Sequence, residues 1–188
     1  MVVPCYNESR SLAELVFRIG QALGASTVAA GEFELVLVEN GSTDDSARVL
    51  EALRRRPEYG FLAVVSVPVN QGYGHGMLAG LRAAHGQIVA TFHADLQCDP
   101  RDVFRAYDVY RSVPGRPLLV KGIRHGRPPG AVAITRGMEV AALLLLGVRL
   151  HEINAQPKLF DRTLVDALVS APPDFRFDLY LLLTAPSR

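Results

Sequence analysis

"FELVLVENGSTDDS", residues 33 to 46, decides how this chain is built. Phe33 to Glu39 is an almost unbroken apolar run, too short for a helix and closed at once by turn residues, so it reads as a strand. A strand without strict apolar–polar alternation is covered on both faces, as in a parallel sheet flanked by helices. Asn40 to Ser46 ends the run with Asn, Gly, Ser and Asp, all favoured in turns. A helix then runs through Leu50 and Leu53 toward Arg56.

The same unit of strand, polar loop and helix recurs on either side. Upstream, "VVP" (residues 2–4) ends a first strand, and Ser11 opens a helix, with Ser11 and Glu14 at capping-box spacing. Leu12, Leu15, Val16, Ile19 and Leu23 form its apolar stripe. Downstream, "FLAVVSVPV" (61–69) is a third strand, followed by "NQGYGHG" (70–76) and a short helix from Met77 to Ala84. "QIVATFHAD" (87–95) is a fourth strand, and Asp99 caps a helix that opens with Pro100, Arg101 and Asp102. Beyond it, "PLLVKGIR" (117–124) predicts a strand and "GAVAITRGMEVAALLLLGV" (130–148) a long helix. "PKLF" (157–160) predicts a short strand before a helix from Thr163 to Val169. This order predicts an α/β domain with a mostly parallel central sheet and helices on both faces.

A length of 188 residues suits one domain with a proper core, and 49% hydrophobic against 21% charged residues excludes disorder. A net charge of +1 gives no global attraction to nucleic acid, and none is expected as a partner. Cys5 and Cys98 are too few for a disulfide framework and not spaced for zinc, so a reducing, cytoplasmic setting is expected. The opening "MVVPCYNES" has no basic segment or long apolar core and predicts no signal peptide. "VAALLLLGV" (140–148) falls short of the roughly 20 residues that span a bilayer, and reads as a buried helix, with contact to a membrane surface as the lesser alternative. The abrupt first strand, and the stop soon after an apolar helix, suggest a fragment of a longer chain.

Four polar clusters each follow a predicted strand directly: Pro4 to Glu8, Glu39 to Asp44, Asn70 to Gly76, and His93 to Asp99. Strand ends of an open parallel sheet line one crevice, where ligands bind, so the clusters are expected to share a site. Turn chemistry explains each loop alone, but explains the four together poorly. The glycines at 72, 74 and 76 do not fit a dinucleotide fingerprint.

The series "VVPCYNE", "VENGSTDDS", "NQGYGHGMLAGLRAAHG" and "HADLQCDP" resembles the family-2 glycosyltransferases of the GT-A fold, nearest the branch of dolichol- and polyprenyl-phosphate sugar synthases. The likeness runs from residue 2 to about residue 127, and more weakly through "INAQPKLFDR" and "FDLYLLL". It implies an inverting, Mg²⁺- or Mn²⁺-dependent transfer of a sugar from a nucleoside-diphosphate sugar. Polyprenyl phosphate is the first expected acceptor and a saccharide hydroxyl the second. Within a single domain of residues 1–188, about 1–127 would bind the donor and about 128–188 serve the acceptor. Peripheral contact with the cytoplasmic face of a membrane fits such an acceptor.

In that role Asp95 and the Gln97 side-chain carbonyl offer oxygen ligands for a hard cation. Residues 93, 95 and 97 would point roughly to one side of a strand end. His93 stands where the family has aspartate, and metal ligation, a nucleoside contact or no role all remain open to it. The resemblance sets Pro4, Tyr6, Asn7, Glu8 and Glu39 around the nucleoside, Asn70 and Gly74 against the nucleotide, and Arg124 and Arg127 of "KGIRHGR" toward phosphate. Asp178 falls near the family's late carboxylate and is the candidate base, although Tyr180 stands where the polyprenyl branch often shows Glu. Gln156 and Lys158 would line the acceptor side. A catalytically silent nucleotide-sugar-binding module is the competing reading, while a pyrophosphorylase is disfavoured because no Gly-rich, Arg-containing loop follows the first strand.

Overall fold

The computed structural model describes residues 1–113, 115 and 119–185. Its strands are β1 (Val2–Cys5), β2 (Leu35–Asn40), β3 (Leu62–Val67), β4 (Ile88–Thr91), β5 (Leu119–Lys121) and β6 (Lys158–Asp161). Its helices are α1 (Leu12–Gly24), α2 (Ser46–Arg54), α3 (Tyr73–Ala83), α4 (Arg101–Ser112), α5 (Pro129–Leu146), α6 (Thr163–Asp166) and α7 (Phe177–Thr184). One sheet of six strands has the order β3-β2-β1-β4-β6-β5. Strands β1 to β4 pair in parallel, and β6 lies antiparallel to both β4 and β5. The α/β class with a mostly parallel sheet is therefore as expected.

Strand pleating divides the core in two. Val3, Cys5, Leu35 and Leu37 face one side, against Leu15 and Ile19 of α1, Leu50 of α2 and Val103 of α4. Val2, Val36 and Val38 face the other, against Met77 and Leu81 of α3, Leu164 of α6 and Phe177 and Leu181 of α7. Both faces of β2 are thus buried, which is why its sequence shows no alternation. Helix α3 sits close to the sheet because position 80 is glycine: a Cβ there would collide with the side chains of Val2 and Val38. Gly80→Val is expected to cost roughly 2–3 kcal/mol by overpacking this contact, measurable as a lower urea midpoint with unchanged slope.

Several local expectations change. The capping box does not form, because Ser11 Oγ donates to the Glu8 carboxylate at 2.7 Å and to its backbone oxygen at 3.0 Å. A carboxylate is the stronger acceptor, and Glu14 pairs with Arg18 instead. Asp99 does cap α4, accepting Arg101 N at 3.0 Å. Helix α3 begins at Tyr73, four residues before the expected start, and α6 ends at Asp166 rather than Val169. Pro117 and Leu118, the start of the strand expected over 117–124, lie outside the described residues.

The largest correction concerns α5. It spans 18 residues, long and apolar enough by length and composition to cross a membrane, yet only Thr135 and Ala142 are buried. Both faces of the sheet are already covered, so the helix has no apolar surface to dock on. Its inner stripe is polar: Thr135 accepts from Arg127, and Glu139 accepts Glu152 N at 2.8 Å. Ile134, Val140, Leu144 and Leu145 stand in the open, Leu145 81% exposed. The division at about residue 127 is not a division of the sheet either, since β6, from the later part, sits between β4 and β5.

Candidate functional site

From β1 the chain builds outward through β2 to β3, then returns to the other side of β1 as β4. The loops after β1 and β4 diverge there, leaving a crevice at the point where strand order reverses. A cleft of about 410 Å³ occupies it. Its walls include Pro4 in β1, Tyr6 and Glu8 after it, Asn70 after β3, and His93 and Asp95 after β4. Asn40 and Tyr73, from two of the polar clusters though not singled out within them, also line it, as does Phe175, which lies outside all four clusters. Larger hollows, of about 500 and 620 Å³, lie at the opposite strand ends around Glu34 and His85, and beside Arg18 and Asp99.

The loops after β1 and β2 are stitched together, which fixes the cleft wall. Asn7, in a left-handed conformation (φ 57), accepts from Thr43 N at 2.8 Å and donates its own N–H to Ser42 Oγ at 3.1 Å. Glu8 N donates to Ser46 Oγ at 2.9 Å. Glu39 Oε1 accepts Ser42 N at 2.6 Å. Asp44 accepts from the Ser46 and Ser9 amides, and the Ser46 and Ser9 side chains, more than these amides, hold its carboxyl well below the usual carboxylate range. Asn7 and Glu39 therefore shape the loops from behind and do not line the cleft. Gly74 is also structural, because a Cβ there would strike the backbone oxygen of Pro172.

Asn40 is held in the cleft wall. Its Nδ2 donates to Gly72 O at 3.1 Å, which fixes the amide orientation. Its Oδ1 is buried without a partner, alone in this among the described residues. An unmet buried acceptor costs about 1–3 kcal/mol, but this oxygen is closed off against α3, so a ligand donor would meet it only if the wall around Gly72 and Gly76 shifted.

β4 stops at Thr91, before the polar cluster, and Leu96 turns the chain with φ 59. Residues 93, 95 and 97 consequently do not share one side. His93 and Asp95 border the cleft, whereas Gln97 lines the separate hollow near Arg18. Asp95 Oδ1 accepts Gln97 N at 3.1 Å, an Asx turn that leaves an exposed carboxylate on the rim. No cluster of three or more His, Cys, Asp or Glu side chains suited to a metal occurs among the described residues. A single carboxylate still fits Mg²⁺ or Mn²⁺ in a site where substrate phosphates and water supply most of the oxygens.

Below the cleft floor lies a buried polar network. Lys158 Nζ, fully buried, bonds Asp178 Oδ1 at 2.8 Å and Ala155 O at 3.0 Å. Burial lowers the Lys158 ammonium below its usual value, opposed by the Asp178 carboxylate. Burial and Asp178 push the Tyr73 phenol well above its ordinary value. Burial also lowers the His93 imidazole, against the pull of Asp178 and Asp95. The Tyr73 ring stacks on Phe175 at 5.3 Å and meets the His93 ring edge-on at 5.5 Å. Asp178 is thus a buried ion-pair partner and not an open carboxylate in the cleft.

Arg124 and Arg127 are elsewhere again. Glu152 accepts from Arg124 at 2.6 Å and from Arg127 at 3.4 Å. Both arginines line a hollow of about 100 Å³ against α5. Glu152 engages both guanidiniums, and its single charge offsets one of the two.

An open, mostly parallel sheet with a hydrogen-bonding cleft at its switch point, and a lone carboxylate on the rim, defines an α/β nucleotide-site protein. Residues 1–114 match the model of the family described as glycosyl transferase family 2, and the chain belongs to that family. It is 34% identical over 174 residues to an undecaprenyl-phosphate 4-deoxy-4-formamido-L-arabinose transferase of Pseudomonas paraeruginosa, covering 90% of this chain and 49% of that protein. The Pseudomonas aeruginosa protein of the same name is 34% identical over 177 residues, with the same coverage. The chain spans about half the length of these curated relatives. Among solved structures, glucosyl-3-phosphoglycerate synthase of Mycobacterium tuberculosis in complex with UDP superposes with TM-score 0.69 at 26% identity, covering 97% of this chain and 62% of that one. The same enzyme with Mn²⁺, UDP-glucose and phosphoglyceric acid gives TM-score 0.69 at 25% identity, again over 97% and 62%.

Proposed function

We propose that this domain transfers a sugar, with inversion, from a nucleoside-diphosphate sugar to a polyprenyl phosphate. The observation that carries this reading is the cleft at the sheet's switch point, where Tyr6, Glu8 and His93 meet the exposed Asp95 carboxylate. Tyr6 offers a face for the base, and Glu8 offers an acceptor for its N–H groups or the ribose hydroxyls. Asp95 would hold a divalent ion, which would supply Lewis-acid neutralisation of the leaving diphosphate. The relatives named for undecaprenyl-phosphate support the acceptor class, and the neighbours solved with UDP and Mn²⁺ support the donor and metal.

The acceptor choice has a physical basis in Asp178. Its carboxylate is buried and paired with Lys158, so it is poorly placed to take a proton from a saccharide hydroxyl. A lipid phosphate arrives ionised and needs no base, leaving catalysis to positioning and electrostatics. For Arg124 or Arg127 to contact that phosphate, the guanidinium must exchange Glu152 for it. The exposed apolar side of α5, about 27 Å long, gives the domain a surface to rest on a cytoplasmic membrane face.

The test is transfer from a panel of sugar nucleotides, with Mn²⁺ and Mg²⁺, to undecaprenyl phosphate or to saccharide acceptors. Product only on saccharides would move the acceptor to the second class. Nucleotide binding without turnover on any acceptor would make the domain a silent binding module. Leu144→Gln combined with Leu145→Gln is expected to weaken co-flotation with anionic liposomes by roughly tenfold or more, from the apolar area withdrawn.

A further inference from the structure

We propose that His93 acts in the donor site as a hydrogen-bond donor through Nδ1, held in that tautomer by Gln156, and is not a metal ligand. This rests on the donor-site reading above. His93 Nε2 lies 3.2 Å from Gln156 Nε2 and 3.2 Å from the Tyr73 hydroxyl. Thr91 Oγ1 donates to Gln156 Oε1 at 2.9 Å, which takes up the amide oxygen and leaves the amide nitrogen facing the imidazole. An amide NH₂ can only donate, so Nε2 presents its lone pair and the ring proton sits on Nδ1.

The surrounding network agrees with that polarity. The Tyr73 hydroxyl lies 3.2 Å from the same nitrogen and can donate its proton to the Nε2 lone pair. Lys158 donates to Asp178, which holds the floor of the network in place. Thr91, Gln156, Lys158 and Asp178 are all buried, so water does not compete for these bonds. Among the described residues Nδ1 has no hydrogen-bond partner, and it is not a buried orphan, since Asn40 Oδ1 alone has that status there. It therefore opens on the cleft that His93 lines.

With one nitrogen's lone pair given to Gln156 and the other nitrogen protonated, neither can ligate an ion. The Nδ1–H instead suits an acceptor oxygen, either a phosphate or a sugar hydroxyl of the donor. Gln156 is the positioning residue: it touches no substrate and acts through His93. The family's aspartate at this place would be an acceptor, so the change to histidine inverts the polarity of this part of the site.

Long-range ¹H–¹⁵N correlation spectra of the ligand-free protein read the tautomer directly. The expected spectrum has the proton on His93 Nδ1, and Gln156→Glu, which accepts but cannot donate, moves it to Nε2. Isothermal titration with Mn²⁺ in the presence of UDP or GDP should give His93→Ala an ion affinity within about twofold of the parent protein. The same variant should bind UDP or GDP-mannose without metal about three- to tenfold more weakly than the parent, the loss of one hydrogen bond, with UDP and UDP-glucose compared to separate phosphate from sugar contacts. A proton on Nε2 in the parent protein, or a tenfold loss of Mn²⁺ affinity in His93→Ala, would overturn the proposal. Failure of the parent to bind any nucleoside diphosphate would overturn the donor-site reading and the Nδ1 contact with it, whereas the spectra would still report the tautomer.

Discussion

Asp95→Asn is expected to lower kcat/KM for sugar transfer by about 10³-fold, with nucleoside-diphosphate affinity in the absence of metal changed by less than about twofold. The substitution keeps size and keeps an oxygen to accept the Gln97 amide, so the turn at Leu96 should survive. What is lost is the negative charge on the cleft rim, which in the proposed role would draw a divalent ion to the diphosphate. Neutralising a leaving group contributes several kcal/mol, and each 1.36 kcal/mol is tenfold in rate. Calorimetry of Mn²⁺ binding to the nucleotide complex separates this from misfolding. Parent-like Mn²⁺ affinity in the variant would remove Asp95 from the metal role.

Lys158→Met is expected to destabilise the fold by about 3–5 kcal/mol, because it leaves Asp178 buried without its cation. Against a total stability of about 5–15 kcal/mol, that is a large share. Adding Asp178→Leu should recover much of the loss, since a buried ion pair replaced whole by apolar groups is often close to neutral. Recovery should be incomplete, because the buried Ala155 oxygen then loses the Lys158 ammonium as its donor. Urea denaturation of the two single variants and the double variant gives the coupling directly. A single Lys158→Met variant as stable as the parent would mean that the pair contributes nothing.

The two predictions concern residues that the sequence presents very differently. Asp95 stands in a polar cluster right after a strand, and local pattern is enough to place it at a ligand-bearing edge. Lys158 and Asp178 lie 20 positions apart in segments without periodic polar signals. Nothing local marks them as partners. The same holds for Asn40, whose unmet oxygen exists only because Gly72 and α3 close over it. Tyr73 was hidden inside a glycine-rich stretch that looked like a loop. Its helix forms because those glycines let the backbone pack against residues 172–174.

Gln97 and α5 show the opposite case, where local pattern misleads. Residues 93, 95 and 97 alternate as in a strand, but strand pairing stops at Thr91 and Leu96 turns the chain. The apolar composition of α5 says that the helix gains from leaving water, not which surface receives it. The six-stranded sheet has no free face to offer. Arg124 and Arg127 similarly look like a free basic cluster until Glu152, distant in sequence, is folded against them.

By itself the sequence determined the repeated unit of strand, polar loop and helix, the mostly parallel sheet and the strand edge at which the proposed site lies. Each of these follows from side-chain period and turn chemistry acting over about ten residues. Only the tertiary structure decided that β6 runs antiparallel between β4 and β5, bringing Gln156 and Lys158 beneath His93. Only it withdrew Asp178 and both arginines from the cleft and buried the Asn40 oxygen against α3. Those outcomes depend on which distant segments pair, and hydrogen-bond partners across a fold leave no periodic trace in the chain.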